Sequence, residues 1–202
     1  MIVGFPRNIG WIEVVCGSMF SGKTEELIRR LKRAKIAQQN VQIFKPRIDD
    51  RYDAVRIVSH SRQQLESIAI ERAEDLLRHL KPETQVVGID EVQFFGAEIV
   101  PVCESLANKG LRVIAAGLDQ DYRGLPFEPM PQLMAVAEFV SKELAICVVC
   151  GNPANRSQRI VSSSDRVVVG AEGDYEARCR KCFIPEPVKA SAQENLKLRL
   201  RG

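Results

Sequence analysis

The sequence predicts an α/β fold in which helices cover a mostly parallel β-sheet, followed by a small second domain. Short apolar segments alternate with amphipathic segments along most of the chain, which is typical of such sheets. Each apolar segment is hydrophobic along its whole length, as expected for strands that are buried on both faces. Paired cysteines occur only after residue 143. A chain of 202 residues is long enough for one domain of ordinary size and a small second domain.

The first elements are predicted from apolar runs and helical spacing. Ile12–Cys16 is a short apolar run and is predicted to be a buried strand. Thr24–Ala37 is predicted to be a helix because its apolar residues recur on one face and its charges lie on the other. Val41–Phe44 is predicted to be a second strand, which Pro46 closes.

The middle of the chain is less regular. Asp49–Glu66 is polar and rich in arginine, which indicates a loop with an edge strand. Ala73–Leu80 is predicted to be a short helix that ends before Pro82. Val86–Ile89 is fully apolar and is predicted to be the third buried strand.

Two helices and a fourth strand are predicted next. Ala97–Asn108 has helical character, and Gly110 lies just beyond its end. Leu111–Ala116 is predicted to be the fourth strand. Pro131–Val140 is predicted to be a helix with proline in its first turn.

Changes in composition suggest four segments along the chain. We expect an N-terminal extension at residues 1–10, a main domain at 11–142, a small second domain at 143–185 that contains the paired cysteines, and a tail at 186–202. The tail is polar and is expected to be peripheral.

Charge and hydropathy exclude several classes of protein. Twenty-nine basic and 26 acidic residues leave a formal net charge of +3, which does not fit a strongly basic nucleic-acid-binding surface. The longest apolar runs, such as Val113–Gly117 and Leu144–Cys150, are far shorter than the ~18–20 residues that a membrane span needs. The N-terminus does not resemble a signal peptide, so we expect a cytoplasmic protein with reduced thiols.

A complete phosphate-binding motif follows the first predicted strand. The segment Gly17-Ser18-Met19-Phe20-Ser21-Gly22-Lys23-Thr24 matches G-x-x-x-x-G-K-[ST] and lies between a predicted strand and a predicted helix. Its backbone N–H groups and the helix N-terminus would bind phosphate oxygens. Lys23 would neutralise the β- and γ-phosphates, and the Thr24 hydroxyl would ligate Mg²⁺. The motif therefore predicts a P-loop, RecA-like domain that binds ATP.

Two adjacent carboxylates follow the third predicted strand. Asp90 and Glu91 come directly after Val86–Ile89, at the sheet edge where ligands bind in open α/β folds. Asp90 is the expected partner of Mg²⁺, either as a direct ligand or through a group that is itself bound to the metal. Glu91 points a different way, because side chains alternate along a strand, and could accept a proton from the group that attacks the γ-phosphate. That group would be water in an ATPase and a substrate hydroxyl in a kinase.

Four of the six cysteines form two C-x-x-C pairs. The pairs Cys147/Cys150 and Cys179/Cys182 have the spacing of a structural zinc site. The 28 residues between the pairs imply an inserted loop. A redox C-x-x-C fits less well, because that motif usually stands alone at the start of a helix. The remaining cysteines, Cys16 and Cys103, are expected to be small core residues.

Aromatic and basic residues near the predicted site could contact a substrate. Phe94 and Phe95 follow the carboxylates, and Tyr122 and Phe127 lie in the loop after the fourth strand. Such rings would suit a nucleobase, although at least one of Phe94 and Phe95 is expected to belong to the core. Three arginines could reach phosphates: Arg47, Arg51 and Arg56. The two histidines, His60 and His79, have no partner at a recognisable spacing.

Taken together, these motifs resemble those of the thymidine kinases found in bacteria and in the animal cytosol. The resemblance covers residues from about Glu13 to Phe183. It is carried by the P-loop with its Met-Phe-Ser interior, by Asp90–Phe95, by Gly117–Asp119 leading to Pro126 and Phe127, and by the paired cysteines with Gly170 and Tyr175 before the second pair.

The resemblance implies ATP-dependent phosphorylation of the thymidine 5′-hydroxyl, with Mg²⁺, structural Zn²⁺ and a homotetramer. It implies that Glu91 is the general base and that Asp90 and Gln93 surround the metal and the nucleotide. Asp49 and Arg51 match a segment near the phosphates. Deoxyuridine would be a lesser substrate and thymidine triphosphate a feedback inhibitor. The positions that match the thymidine site are Met19, Phe94, Leu118, Tyr122, Phe127, Val167, Val168, Val169, Gly170 and Tyr175.

Two other functions would use some of the same motifs. A nucleic-acid-dependent ATPase would also use a P-loop, an Asp-Glu pair and a zinc knuckle. It would need a basic groove lined with aromatic residues, which a net charge of +3 does not favour. A nucleotide sensor without turnover would not need a carboxylate at the position of Glu91. We therefore expect no nucleic-acid and no membrane partner.

Overall fold

The structure is a computed structural model that describes residues 9–47, 56–58, 64–161 and 173–185. In chain order, its strands are β1 (Trp11–Gly17), β2 (Val41–Pro46), β3 (Arg56–Val58), β4 (Gln64–Glu66), β5 (Ile68–Ile70), β6 (Val86–Ile89), β7 (Arg112–Leu118), β8 (Phe139–Glu143), β9 (Ala145–Ile146), β10 (Pro153–Ala154), β11 (Arg156–Arg159) and β12 (Tyr175–Arg178). Its helices are α1 (Lys23–Ile36), α2 (Asp75–His79), α3 (Ile99–Asn108) and α4 (Met130–Val136), with a 3₁₀ turn at Val92–Phe95.

Six of these strands form a parallel sheet in the order β5-β2-β6-β7-β1-β8. All six carboxyl ends therefore lie at one edge of the sheet. The P-loop leaves β1 at this edge, and the acidic pair leaves β6. Strand β7 lies between β1 and β6, so its own carboxyl end is placed between the P-loop and the acidic pair.

Alternate residues of the strands point to opposite faces of the sheet, and each face is covered by helices. On one face, Val15 and Ile114 pack with Leu27 and Leu31 of α1. On the other face, Val14, Val87 and Val113 pack with residues of α3 and α4, including Leu106 and Leu133. Burying each large aliphatic side chain contributes about 1.5–3 kcal/mol. The predicted parallel α/β sheet is confirmed, and Cys16 and Cys103 are buried in its core as expected.

The prediction of one helix over Pro131–Val140 is wrong in its second half. Helix α4 ends at Val136, and Ala137 is already extended at ψ 139°. Phe139 and Val140 begin the edge strand β8, which pairs with β1. The Glu138 carboxylate accepts a hydrogen bond from the Ile12 backbone N–H at 2.6 Å. Pairing with a neighbouring strand outweighs the weak helical preference here. The short strand β5 was also not predicted.

The chain after β8 forms two small antiparallel ladders, β9 with β10 and β11 with β12. We call residues 145–185 the cysteine lobe. Among its described residues, the buried apolar cluster is formed by the small side chains of Ala145, Cys147, Ala154, Ala177 and Cys179. Such a cluster is too small to stabilise a lobe by burial alone. Among the described residues, no helix is both long enough and apolar enough to cross a membrane.

Candidate active site

The P-loop connects β1 to α1 and adopts a tight curve. Gly22 has φ +85°, a left-handed conformation that favours glycine. A Cβ at Gly17 would lie 2.3 Å from the Glu143 carbonyl oxygen, so glycine is required there for space as well. Helix α1 begins at Lys23. Its first backbone N–H groups and its partial positive charge therefore face the loop, as an anion site requires.

Lys23 is buried beneath this loop. Its ammonium group donates a hydrogen bond to the Ser18 carbonyl oxygen at 2.7 Å. Burial lowers the pKa of Lys23, whereas the negative charges of Glu91 and Asp90 act in the opposite direction.

Thr24 and Asp90 converge across the site. The Thr24 hydroxyl lies 3.3 Å and 3.4 Å from the two carboxylate oxygens of Asp90. Neighbouring oxygen ligands of Mg²⁺ lie about 3 Å apart, so a hydroxyl and a carboxylate at this separation fit that cation. Burial, together with the charge of Glu91, raises the pKa of Asp90 to about 7. A bound cation would favour the ionised carboxylate instead.

Glu91 follows in a left-handed conformation, with φ 49° and ψ 40°. Its backbone N–H donates to the Asp90 carboxylate at 3.0 Å. One oxygen of its own carboxylate, Oε2, accepts a hydrogen bond from the Gln93 side-chain amide at 2.6 Å. The oxygen of that amide accepts from the Leu118 backbone N–H at 3.1 Å. Gln93 therefore connects Glu91 with the carboxyl end of β7.

Aromatic side chains lie beside these groups. The rings of Phe94 and Phe127 meet edge to face, with their centroids 5.9 Å apart. Phe95 is buried in the core, as expected for at least one of the two adjacent phenylalanines. Tyr122 is half-buried, and the Arg159 guanidinium carbon lies 3.5 Å from its ring centroid. Such stacking is a favourable cation–π contact.

Arg159 is a site residue that sequence reasoning missed. It is buried in β11, and besides stacking on Tyr122 it donates a hydrogen bond to the Tyr175 hydroxyl at 3.2 Å. It therefore joins two of the residues predicted to contact the nucleoside. A lone arginine in a short polar strand carries no signal in the sequence.

An ion pair across β1 was also missed. The Lys142 ammonium on β8 lies 2.5 Å from the Asp119 carboxylate, which follows β7. Asp119 is buried, and its Oδ1 has no hydrogen-bond partner among the described residues. Because β1 lies between β7 and β8, this pair spans the start of the P-loop.

The four paired cysteines are brought together in the cysteine lobe. The Sγ atoms of Cys147, Cys150, Cys179 and Cys182 all lie within 4.8 Å of one another. Cys150 Sγ lies 3.6 Å from Cys179 Sγ and 3.5 Å from Cys182 Sγ. In a tetrahedral zinc site, Zn–S bonds of about 2.3 Å place the sulfurs about 3.8 Å apart. The four thiols therefore fit a structural zinc ion.

Other predicted residues lie elsewhere or outside the described part of the chain. Arg47 is exposed and lies near Glu71, at 3.6 Å. His79 is exposed, with Nδ1 2.8 Å from the Asp75 carbonyl oxygen. The predicted contacts at Asp49, Arg51 and Val167–Gly170 lie outside the described residues, as do His60 and the side chain of Arg56.

The fold and the site together define a P-loop nucleotide-binding protein with an acidic pair beside its phosphate loop. Comparison with known proteins narrows this class, because the thymidine kinase family model matches residues 10–183. The chain is 58% identical over 185 residues to a thymidine kinase of Rhodothermus sp. (strain ITI 518), covering 92% of this chain and 86% of the relative.

A second similar protein is also a thymidine kinase. Over 182 residues, the chain is 58% identical to a thymidine kinase of Bdellovibrio bacteriovorus (strain ATCC 15356 / DSM 50701 / NCIMB 9529 / HD100), covering 90% of this chain and 89% of the relative. The chain belongs to the thymidine kinase family. The resemblance drawn from the sequence is therefore confirmed, and the protein is an enzyme of the transferase class.

Proposed function

We propose that this enzyme transfers the γ-phosphoryl group of ATP to the 5′-hydroxyl of thymidine, producing thymidine monophosphate for nucleotide salvage. Deoxyuridine, which lacks only the ring methyl group, would be a lesser substrate. One observation in particular supports phosphoryl transfer. In a chain of this family, the Thr24 hydroxyl of the P-loop lies 3.3 Å from the Asp90 carboxylate, and Asp90 in turn accepts a hydrogen bond from the backbone N–H of Glu91.

The P-loop would hold the triphosphate. The backbone N–H groups of residues 17–24 would bind its oxygens, and Lys23 would exchange its contact with the Ser18 carbonyl for the β- and γ-phosphates. Thr24 and Asp90 would hold Mg²⁺, which when bound neutralises charge on the same phosphates. Asp49, Arg51 and Gln93 would also lie beside the nucleotide.

Glu91 would act as the general base. Its carboxylate accepts the proton of the thymidine 5′-hydroxyl while that oxygen forms a bond to the γ-phosphorus. The bond between the γ-phosphorus and the bridging oxygen breaks at the same time, and ADP leaves. Positioning and electrostatic stabilisation supply most of the remaining catalysis in phosphoryl transfer.

Thymidine would bind beside the acidic pair, in a pocket formed from both parts of the chain. The edge-to-face pair of Phe94 and Phe127 supports a flat ligand there. Residues 167–170 would wrap the nucleoside. The remaining proposed contacts are Met19, Leu118, Tyr122 and Tyr175.

The cysteine lobe would be a structural zinc domain. Its four thiols would bind Zn²⁺ at all four positions, so the metal would have no open position for catalysis. We propose a kinase domain at residues 11–142 and a zinc-binding, nucleoside-wrapping domain at 143–185, between an extension at 1–10 and a tail at 186–202. Strand β8 ends and β9 begins beside residue 144, which supports the boundary.

We further propose that the enzyme is a cytoplasmic homotetramer inhibited by thymidine triphosphate. It would bind neither nucleic acid nor membranes. The near balance of 29 basic and 26 acidic residues supports the proposal that the enzyme does not bind nucleic acid.

The proposal is tested with γ-labelled ATP and Mg²⁺, in the presence of single nucleosides or single-stranded DNA. Label should enter a monophosphate with thymidine and, more weakly, with deoxyuridine. Release of free phosphate without a nucleoside, stimulated by DNA, would identify water as the acceptor and would overturn the assignment.

A further inference from the structure

We propose that Gln93 is a positioning residue that holds the carboxylate of Glu91 in the orientation needed to accept a proton. This inference rests on the proposed function, because it takes Glu91 as the general base. It gives Gln93 a role toward the base itself, in addition to its predicted place near the nucleotide.

The orientation of the Gln93 amide is fixed by the protein backbone. Gln93 is buried, with 2% of its surface exposed. The Leu118 backbone N–H can only donate a hydrogen bond, so the group that faces it at 3.1 Å must be the amide oxygen. The amide nitrogen must then face Glu91, where it lies 2.6 Å from Oε2.

This arrangement has a consequence for Glu91. An amide N–H donor pairs with a carboxylate oxygen that carries no proton, so the contact occupies Oε2 and leaves Oε1 for the substrate. Glu91 also has φ 49°, a conformation that non-glycine residues seldom adopt and that needs support from its surroundings. The bond from Gln93 provides such support from the next turn of the chain.

The structure leaves space for this contact. A Cβ at Gly117 would lie 2.5 Å from the Gln93 amide oxygen and 2.9 Å from a Val92 methyl group. Only glycine at this position of β7 allows the amide to approach the strand. Because Leu118 is also a proposed thymidine contact, Gln93 links the base to the pocket that holds the attacking nucleoside.

The test is the variant Gln93→Met, which removes both hydrogen bonds at nearly constant volume. We expect kcat to fall by about 10–100-fold, less than the ~10²–10⁴-fold that a general base contributes. KM for thymidine should stay within about threefold of the parent enzyme, because the groups proposed to bind thymidine are kept. A rise in KM without a fall in kcat would show that Gln93 only shapes the pocket and would overturn the proposal.

A double-mutant cycle identifies Glu91 as the group through which Gln93 acts. In a Glu91→Gln background, Gln93→Met should change the residual kcat by no more than about twofold. An equal loss in both backgrounds would overturn the proposal. If Glu91→Gln alone keeps normal kcat, the base assignment itself fails. If Glu91→Gln is inactive while Gln93→Met keeps the kcat of the parent enzyme, the base assignment stands and only the positioning role of Gln93 fails.

Gln42 provides a matched control. It is also a buried glutamine, and it bonds the His79 carbonyl oxygen, the Lys81 N–H and the Thr84 hydroxyl at the other end of the sheet. Gln42→Met should reduce the free energy of unfolding without changing kcat. If Gln93→Met behaves in the same way, its role is structural and the proposal is wrong.

Discussion

The hydroxyl of Ser157 accepts a hydrogen bond from the backbone N–H of Met19 at 3.0 Å. Met19 lies in the P-loop and Ser157 lies on β11 of the cysteine lobe, so this bond joins the two parts of the chain. The neighbouring Ser18 hydroxyl donates to the Ala154 carbonyl oxygen of the same lobe, at 3.5 Å. The phosphate loop is therefore shaped partly by the lobe that holds the four cysteines.

Replacing Ser157 with alanine should weaken this connection. The Met19 N–H would lose its acceptor, and an unsatisfied buried donor costs about 1–3 kcal/mol. We expect a lower free energy of unfolding in urea and a higher KM for thymidine, since Met19 is a proposed pocket residue. Ser157→Thr retains the hydroxyl and should resemble the parent enzyme. Equal values for the alanine and threonine variants would argue against the connection.

Replacing Glu91 with glutamine should leave the fold and ATP binding intact but reduce kcat by about 10²–10⁴-fold. The amide keeps the size of the side chain but cannot accept the proton. Steady-state kinetics with labelled ATP, together with ATP binding by calorimetry, would measure the two properties separately. Glu104→Gln, a change at an exposed acid on α3, is the control. Near-normal kcat in Glu91→Gln would exclude the base role.

Loss of a cysteine from the cluster should release the metal. Cys147→Ser and Cys182→Ser are each expected to reduce zinc content from about one equivalent to near zero, because structural sites use four protein ligands. The lobe should then melt at a lower temperature, since its apolar cluster is small. Cys103→Ala, a change in the core of the sheet, should retain the metal. Unchanged zinc by elemental analysis in the serine variants would contradict this assignment.

Stability should fall in acid because two carboxyl groups are held ionised. Hydrogen bonds from Arg29 and then Arg30 lower the pKa of Glu26 to about 2. For Glu13, burial acts to raise the pKa, but hydrogen bonds from Arg112 and Trp11 outweigh it and leave the pKa lowered. Both groups bind fewer protons in the folded state than in the unfolded state, so their stabilisation is present above about pH 4.5.

That stabilisation should be lost as the pH falls from about 4.5 toward 2. Urea unfolding at a series of pH values would measure the effect. Glu26→Gln should be less stable at neutral pH and should show a shallower decline in acid. Glu104→Gln should keep the slope of the parent protein. An unchanged slope in Glu26→Gln would mean that this carboxyl group does not contribute.

Much of the fold could be read from local patterns. The apolar run at Val86–Ile89 predicts β6 with the bounds that are observed, and the helical spacing after the P-loop predicts α1 to within one residue at each end. The strand at Phe139–Glu143 was missed, because three of its five residues are polar and the other two, Phe139 and Val140, are exposed in spite of their place in the sheet. An edge strand lacks the continuous apolar pattern of a buried strand.

The P-loop, the acidic pair and the two C-x-x-C pairs are contiguous motifs, so their spacing in the sequence is enough to predict the chemistry of the site. Which groups contact one another could be seen only in the folded chain. The contacts of Gln93 with Leu118, of Asp119 with Lys142, of Ser157 with Met19 and of Arg159 with Tyr122 join residues from 23 to 138 positions apart or from different elements. Hydrogen bonds and ion pairs act over a few ångströms in space, so folding must first bring such residues together.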